Sequence, residues 1–172
     1  MTESRIGNMR KGLLELIAYI NERHPTRELD LLEVGSYKGD SAQMFASAFR
    51  RVTCIDAWDQ ALFNVPGESA AEAEAEFDRV TAALANVRKI KSTSLAAAGR
   101  YADPVDVLYV DAGHDYESVN ADLGAWASRP QLFVCGHDYW PSRFPGVVRA
   151  VNERFGKPDA VFCDTSFVVA VK

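Results

Sequence analysis

The sequence predicts an α/β protein built on one open sheet, mostly parallel, with helices on both faces. Short aliphatic or β-branched runs alternate with segments whose apolar residues recur every three or four positions. This gives about seven strands and about six helices, and the last two strands are close enough to pair as an antiparallel hairpin. Since 172 residues suffice for one sizeable core but not for two, residues 1–172 are interpreted as a single domain.

Composition and charge narrow the class of protein. The chain is 48% hydrophobic and 25% charged, and it has no apolar tract long enough to span a bilayer. The first residues lack the pattern of a secretory signal, which favours a cytosolic location. A net charge of -5 argues against a nucleic-acid surface, because phosphate binding needs a basic face. Cys54, Cys135 and Cys163 each lie in an apolar run and are expected to be buried thiols.

The N-terminal part predicts a cap followed by a strand, a glycine loop and a helix. Apolar residues at helical spacing mark a helix over residues 6–20, within an N-terminal cap of residues 1–28. A buried strand follows at residues 31–34, then a tight loop at residues 35–39 and a helix at residues 40–49. Glycines let a backbone approach a ligand closely, and the first turn of a helix offers unpaired N–H groups. This unit therefore indicates a nucleotide-type site.

The middle of the chain continues the alternation. A second strand, residues 51–56, ends on Asp56, and an acid there is placed to bind ribose hydroxyls beside the first glycine loop. A long loop at residues 58–67 precedes a helix that begins with Ser69 and Glu72 in capping-box spacing. Apolar residues at helical spacing predict that this helix continues through Leu84 and Val87. A third strand at residues 86–91 and a turn into a short helix at residues 92–98 follow.

The C-terminal half carries most of the titratable residues. A fourth strand at residues 105–110 and a fifth at residues 131–135 each end in a polar cluster, at residues 111–116 and 136–140. A helix with Val119, Leu123 and Trp126 on one face separates them, and Pro145 opens another. Residues 159–163 and 166–171 form the predicted hairpin. Ligands bind beyond the C-terminal strand ends of such sheets, so the glycine loop and both clusters are expected to form one site.

The segments at these strand ends resemble the class I S-adenosylmethionine-dependent methyltransferases, in particular the methyltransferase-24-like small-molecule O-methyltransferases. The resemblance runs from Leu31 to about Phe155 and implies a Rossmann-like fold. The most specific pieces are His-Asp-Tyr-Glu at residues 114–117 and Gly-His-Asp-Tyr at residues 136–139. The other matching pieces are residues 33–41, 56–58, 122–123 and 145–151.

The resemblance implies a set of cofactor contacts for S-adenosylmethionine. Asp56 would hold the ribose, Trp58 would flank the adenine, Ser94 would meet the adenine edge, and Asp111 would lie near the methyl-bearing sulfur. The methionine part would be lined by Glu33, Gly35, Ser36, Tyr37 and Gly39, with Ser41 on the same loop and helix.

The resemblance also implies a metal site, from which this chain departs. Metal-dependent relatives bind magnesium with acids after the fourth and fifth strands, and Asp111 and Asp138 match those positions. His137 stands where several relatives have another acid, which suggests a softer metal or no metal, because magnesium prefers oxygen ligands. Gly113 replaces an acid that acts as base in some relatives. The base would then be His114 or His137, since an imidazole titrates near neutral pH.

The predicted activity is in-line transfer of a methyl group to a hydroxyl of a small molecule, a sugar or an aromatic compound, with a histidine removing the proton. Two alternatives stay open. A nicotinamide-dependent oxidoreductase is disfavoured because the loop reads Gly-x-x-x-Gly and Tyr116 is followed by Asn120 where a lysine is required. A non-catalytic cofactor-binding or interaction module is the stronger alternative, because the chain has little material for a substrate lid.

Overall fold

The computed structural model describes residues 3–63 and 65–171, with side chains from residue 7 onward. Ile6, the first residue of the predicted helical stripe, therefore lies outside the described side chains. The strands are β1 (Asp30–Val34), β2 (Arg51–Asp56), β3 (Val87–Lys91), β4 (Val105–Val110), β5 (Pro130–Gly136), β6 (Ala160–Val161) and β7 (Phe167–Ala170). The helices are α1 (Glu3–Asn21), α2 (Asp40–Ala48), α3 (Ala70–Thr81), α4 (Ser94–Ala98), α5 (Tyr116–Trp126) and α6 (Pro145–Phe155).

One seven-stranded sheet organises the described residues, in the order β3-β2-β1-β4-β5-β7-β6. The pairs from β3 to β5 are parallel, and β7 runs antiparallel to both β5 and β6. The predicted α/β fold with one reversed strand in a C-terminal hairpin is confirmed. Because β1 and β4 are neighbours, the chain leaves the sheet centre in one direction after β1 and in the other after β4.

Helices cover both faces of this sheet, as predicted. Alternate strand residues point to opposite faces, so Leu31 packs with α1, α2 and α3, while Leu32 packs with α4, α5 and α6. Each face has its own apolar cluster, with Phe45 and Trp126 among the largest fully buried side chains. None of the described helices is both long and apolar enough to cross a membrane.

Three local predictions need correction. Helix α3 begins at the predicted capping box of Ser69 and Glu72 but ends at Thr81, so Leu84 lies in the following turn and Val87 begins β3. The apolar spacing had continued across this boundary by coincidence. The predicted strand at residues 159–163 is shorter, since β6 ends at Val161. Cys163 therefore lies in the turn between β6 and β7 and is exposed, whereas Cys54 and Cys135 are buried as expected.

Candidate functional site

The candidate site lies where the loops after β1 and β4 meet. The N–H of Gly35 donates to the carbonyl of Ile55 (2.8 Å), and the N–H of Asp111 donates to the carbonyl of Val34 (2.8 Å). These bonds extend the sheet past the ends of β1 and β4. This is the point at which the strand order reverses, where open α/β sheets bind their ligands.

The Gly35 loop approaches its neighbour more closely than any side chain would permit. Gly35 has φ of +90°, and a Cβ there would lie 2.1 Å from the carbonyl oxygen of Asp111. Two further residues of the loop have left-handed backbones, Tyr37 (φ 45°) and Gly39 (φ 84°), which leads into α2. Tyr37 thus adopts a conformation that usually falls to glycine. Its ring stacks on Phe63 (6.0 Å between centroids), and its hydroxyl donates to Glu68.

Asp56 fastens this loop to the end of β2. Its Oδ2 accepts the N–H of Tyr37 (2.9 Å), and its Oδ1 accepts the N–H of Trp58 (3.0 Å). The indole N–H of Trp58 returns to the carbonyl of Tyr37 (2.8 Å). Asp56 therefore lies beside the glycine loop, where the sequence predicted it, and both carboxylate oxygens hold backbone. Its ribose contact stays a prediction.

Glu33, inside β1, is an acid without full compensation. It is completely buried, Ser41 donates a hydrogen bond to its Oε1, and its Oε2 has no partner among the described residues. Burial raises the pKa of Glu33 to about 7, against the lowering effect of the Ser41 bond. The hydroxyl of Ser36 is likewise buried with no partner in the described part of the chain. Two buried polar atoms beside the loop thus form no hydrogen bond within the described part of the chain.

The two residues predicted to contact adenine have structural roles. Trp58 is only 4% exposed and packs against Phe77 (4.9 Å between centroids), which leaves no ring face open for stacking in this conformation. The hydroxyl of Ser94 accepts the indole N–H of Trp126 (2.9 Å). Both adenine contacts stay predictions, and the geometry gives Trp58 the place of a core residue.

Asp138 connects the two predicted catalytic histidines. His114 Nε2 lies 2.8 Å from Asp138 Oδ2, and His137 Nδ1 lies 3.2 Å from Asp138 Oδ1. The side chain of His114 is 49% exposed, whereas that of His137 is 18% exposed. The structure thus brings together the clusters after β4 and β5, and only His114 opens widely to solvent.

The charges of this cluster separate the two histidines. Burial lowers the pKa of His137, but the surrounding carboxylates, with Asp111 foremost, outweigh it and raise the pKa to about 11. The hydrogen bond to Asp138 raises the pKa of His114. Burial would raise the pKa of Asp138, yet its contacts with both histidines lower it well below its ordinary value. His137 is therefore a cation at neutral pH, which argues against its predicted role as base.

Asp164, in the turn between β6 and β7, is a site residue that the sequence did not reveal. Its side chain is 2% exposed and its Oδ2 lies 3.6 Å from His137 Nε2. Ser166 donates both its N–H (2.9 Å) and its hydroxyl (2.8 Å) to this carboxylate. A Cβ on Gly12 of α1 would overlap it, at 2.0 Å from Oδ1. The one available signal was an acid in a tight hairpin, which is common in turns without any function.

The predicted metal pair, Asp111 and Asp138, lies together. One ligand atom from each of these residues and from His114 falls within 4.8 Å of the others. His137 is not part of this set. Two carboxylates and one imidazole suit a transition metal better than magnesium, which prefers oxygen ligands throughout.

Comparisons with known proteins agree with this geometry. A family model described as "Methyltransferase domain" matches residues 32–139, which include the Gly35 loop, Asp111 and Asp138. A comparison with curated protein sequences finds no significant match.

Solved methyltransferase structures share the fold at low sequence identity. The O-methyltransferase NovP is 20% identical, with a TM-score of 0.63 over 96% of this chain and 78% of that one. The N-methyltransferase NodS from Bradyrhizobium japonicum is 13% identical, with a TM-score of 0.60 over 95% and 94%. Fibrillarin from Aeropyrum pernix, solved with S-adenosyl-L-methionine, is 13% identical, with a TM-score of 0.59 over 94% and 76%. The chain therefore belongs to the methyltransferase-domain family, as a class I S-adenosylmethionine-dependent methyltransferase.

Proposed function

We propose that the chain binds S-adenosylmethionine at the Gly35 loop and transfers its methyl group to a hydroxyl oxygen of a small molecule. The observation that carries the proposal is the hydrogen-bonded pair of His114 and Asp138, which lies at the strand ends across from that loop. A histidine held by a carboxylate is suited to remove a proton from a hydroxyl.

The residues around the loop fit the cofactor. Gly35 lets the loops after β1 and β4 meet without a side chain between them, and Glu33 Oε2 and Ser36 Oγ are buried polar atoms without a partner among the described residues. Asp111 supplies a carboxylate beside the same loop, where it would attract the positive sulfonium. Bound S-adenosylmethionine would supply an electrophilic methyl group. The protein would supply position, because holding two reactants in line is itself a large source of rate.

His114 is the better candidate for the base. His114 Nε2 donates its proton to the hydrogen bond with Asp138, so Nδ1 is the ring nitrogen left to take the proton from the substrate hydroxyl. The ring also stacks on Phe144, with 4.7 Å between centroids and 25° between planes, which fixes its orientation. His137, as a cation among three acids, would hold Asp138 in place.

A divalent metal is the second way to use this cluster, and the mutual distances of Asp111, His114 and Asp138 favour it. These three residues would hold the ion, and the ion would orient the acceptor oxygen and lower its pKa. In that arrangement His114 serves as a ligand and not as the base.

The choice of acceptor class rests on the net charge of the chain and on the proposed base. The net charge of -5 disfavours nucleic acid as the acceptor. NovP and NodS are named for oxygen and nitrogen transfer, so the choice of oxygen is ours. It follows from the base, since a hydroxyl needs to lose its proton to become a good nucleophile.

Calorimetry and turnover test the proposal. The chain should bind S-adenosylhomocysteine and not NAD, and S-adenosylmethionine should be consumed with an acceptor from a panel of catechols, phenols and sugars. His114→Ala should abolish turnover and spare S-adenosylhomocysteine affinity, while His24→Ala, which changes a histidine packed against Phe133, should leave both intact. Lack of S-adenosylhomocysteine binding would refute the proposal. Loss of turnover with a chelator and its return with Mn²⁺ would select the metal-bound arrangement.

A further inference from the structure

Most aromatic side chains around the site are already committed to the protein itself. The hydroxyl of Tyr116 donates to Glu153 (2.6 Å), and Arg149 lies over its ring at 4.0 Å. The hydroxyl of Tyr139 donates to Asn152 (2.8 Å). Trp58 is buried. These three rings are therefore poor candidates for stacking on an acceptor.

Trp140 is different, because 43% of it is exposed. It lies two residues beyond Asp138, and its backbone N–H donates to the backbone carbonyl of Asp138 (2.7 Å). This bond keeps the backbone of Trp140 folded back on that of Asp138, the acid that holds His114. A large aromatic ring left open beside a reaction centre is a natural surface for a planar ligand.

Arg143 adds a positive charge to this surface. Its guanidinium carbon lies 5.6 Å from the Trp140 ring centre and 5.2 Å from that of Phe144. Within the part of the chain that the structure describes, Arg143 forms no ion pair. Arg149 on α6 also lies over an aromatic ring, yet it is paired with Glu153 (2.8 Å). An exposed guanidinium without an ion-pair partner is free to bind an anion from solution.

Phe144 joins this surface to the proposed base. It stacks on His114 and also lies next to the guanidinium of Arg143. The Arg143 guanidinium lies 5.2 Å from the centre of the Phe144 ring, and the His114 ring centre lies 4.7 Å from it. The distance from Arg143 to the imidazole therefore cannot exceed the sum of these two distances, and one substituted aromatic ring can span it. A single acceptor could contact both residues.

We propose that Trp140, Arg143 and Phe144 form the acceptor subsite, and that they select a hydroxylated aromatic ring bearing a carboxylate. The ring would lie against Trp140, the carboxylate would accept hydrogen bonds from Arg143, and a hydroxyl at the opposite end would reach His114. This inference rests on the proposed function and deepens it by naming the acceptor class. Arg143 also explains how an anion would be tolerated near Asp111 and Asp138, whose charges repel it.

The test measures binding of two matched probes to the full chain saturated with S-adenosylhomocysteine. The probes are 3,4-dihydroxybenzoate and catechol, which differ by the carboxylate, and binding is followed by calorimetry. The acid should bind about tenfold more tightly, as expected for one charge-assisted contact of about 1.4 kcal/mol at a partly exposed site. Arg143→Gln should remove that preference, Arg143→Lys should retain part of it, and Arg149→Gln should retain all of it.

The indole has its own test. Trp140→Ala should weaken both probes severalfold, and Trp140→Phe should restore most of the affinity. Equal affinity of the two probes, or a preference that survives Arg143→Gln, would overturn the inference while S-adenosylhomocysteine binding still upheld the proposed function. Failure of S-adenosylhomocysteine itself to bind would instead refute the proposed function.

Discussion

Replacing Gly35 by alanine tests whether the meeting of two loops is what builds the cofactor cradle. Gly35 has φ of +90°, and an added Cβ would lie 2.1 Å from the carbonyl oxygen of Asp111 and 2.6 Å from its carbon. Both atoms belong to backbone, so no side chain can rotate away to relieve the overlap. The loops after β1 and β4 would have to separate.

Two costs add in this variant. A left-handed backbone costs a non-glycine residue about 1–2 kcal/mol, and forced overpacking typically costs about 1–3 kcal/mol more. The variant Gly67→Ala isolates the backbone cost, because Gly67 also has a left-handed backbone (φ of +79°) but a Cβ there would have nothing within 4 Å. Gly67→Ala should therefore lose only the backbone part. Gly35→Ala should be less stable than Gly67→Ala by about 1–3 kcal/mol.

Urea unfolding and calorimetry with S-adenosylhomocysteine measure both consequences. Gly35→Ala should bind the ligand at least tenfold more weakly, since the displaced loop carries the proposed contacts, while Gly67→Ala should bind like the wild type. Equal stability of the two variants would refute the close-approach argument. A destabilised Gly35→Ala protein with unchanged affinity would show that the loop does not hold the cofactor.

Two further predictions concern pH. His137 has a pKa of about 11 against an ordinary 6.5, so the native state keeps a proton that the unfolded chain releases. The stabilisation that charged His137 provides is complete below pH 6.5 and is lost as pH rises toward 11. In urea unfolding, the free energy of unfolding should therefore fall more steeply with pH over this range in the wild type than in His137→Gln. Equal slopes for the two proteins would contradict this prediction. Glu33 has a pKa of about 7 against 4.5, so its ionisation destabilises the fold as pH rises through this range. Glu33→Gln should be more stable than the wild type at pH 8, by up to about 3 kcal/mol, and should lose that advantage at pH 4, as checked by urea unfolding.

The sequence predicts the sheet well because its signals are local. The run from Val105 to Val110 is apolar except for Asp106, and in the structure it is a strand with those bounds, paired on both sides. The capping box of Ser69 and Glu72 likewise fixes the start of α3. The end of α3 was harder, because Leu84 continues a helical spacing that the chain no longer follows.

The site is less predictable because its members come from distant segments. The clusters at Asp111 and Asp138 were found because strand ends share one edge of a parallel sheet. Asp164 was missed, since its contact with His137 depends on the reversed strand β7 and on the exact turn before it. The sequence could not decide between a stacking and a core role for Trp58 for a similar reason, because its partner Phe77 comes from α3.

Asp164 gives a physical reason for a histidine at position 137, where the family resemblance leads one to expect an acid. An acid at this position would place a fourth carboxylate beside Asp111, Asp138 and Asp164, and like charges at such distances strongly disfavour joint ionisation. His137, charged at neutral pH, instead offsets part of that negative charge from within the protein. The cluster thus depends less on an external cation than an all-acid set would. This balance favours the arrangement in which Asp138 supports His114 as the base, and it makes the chelator experiment the decisive measurement between the two arrangements.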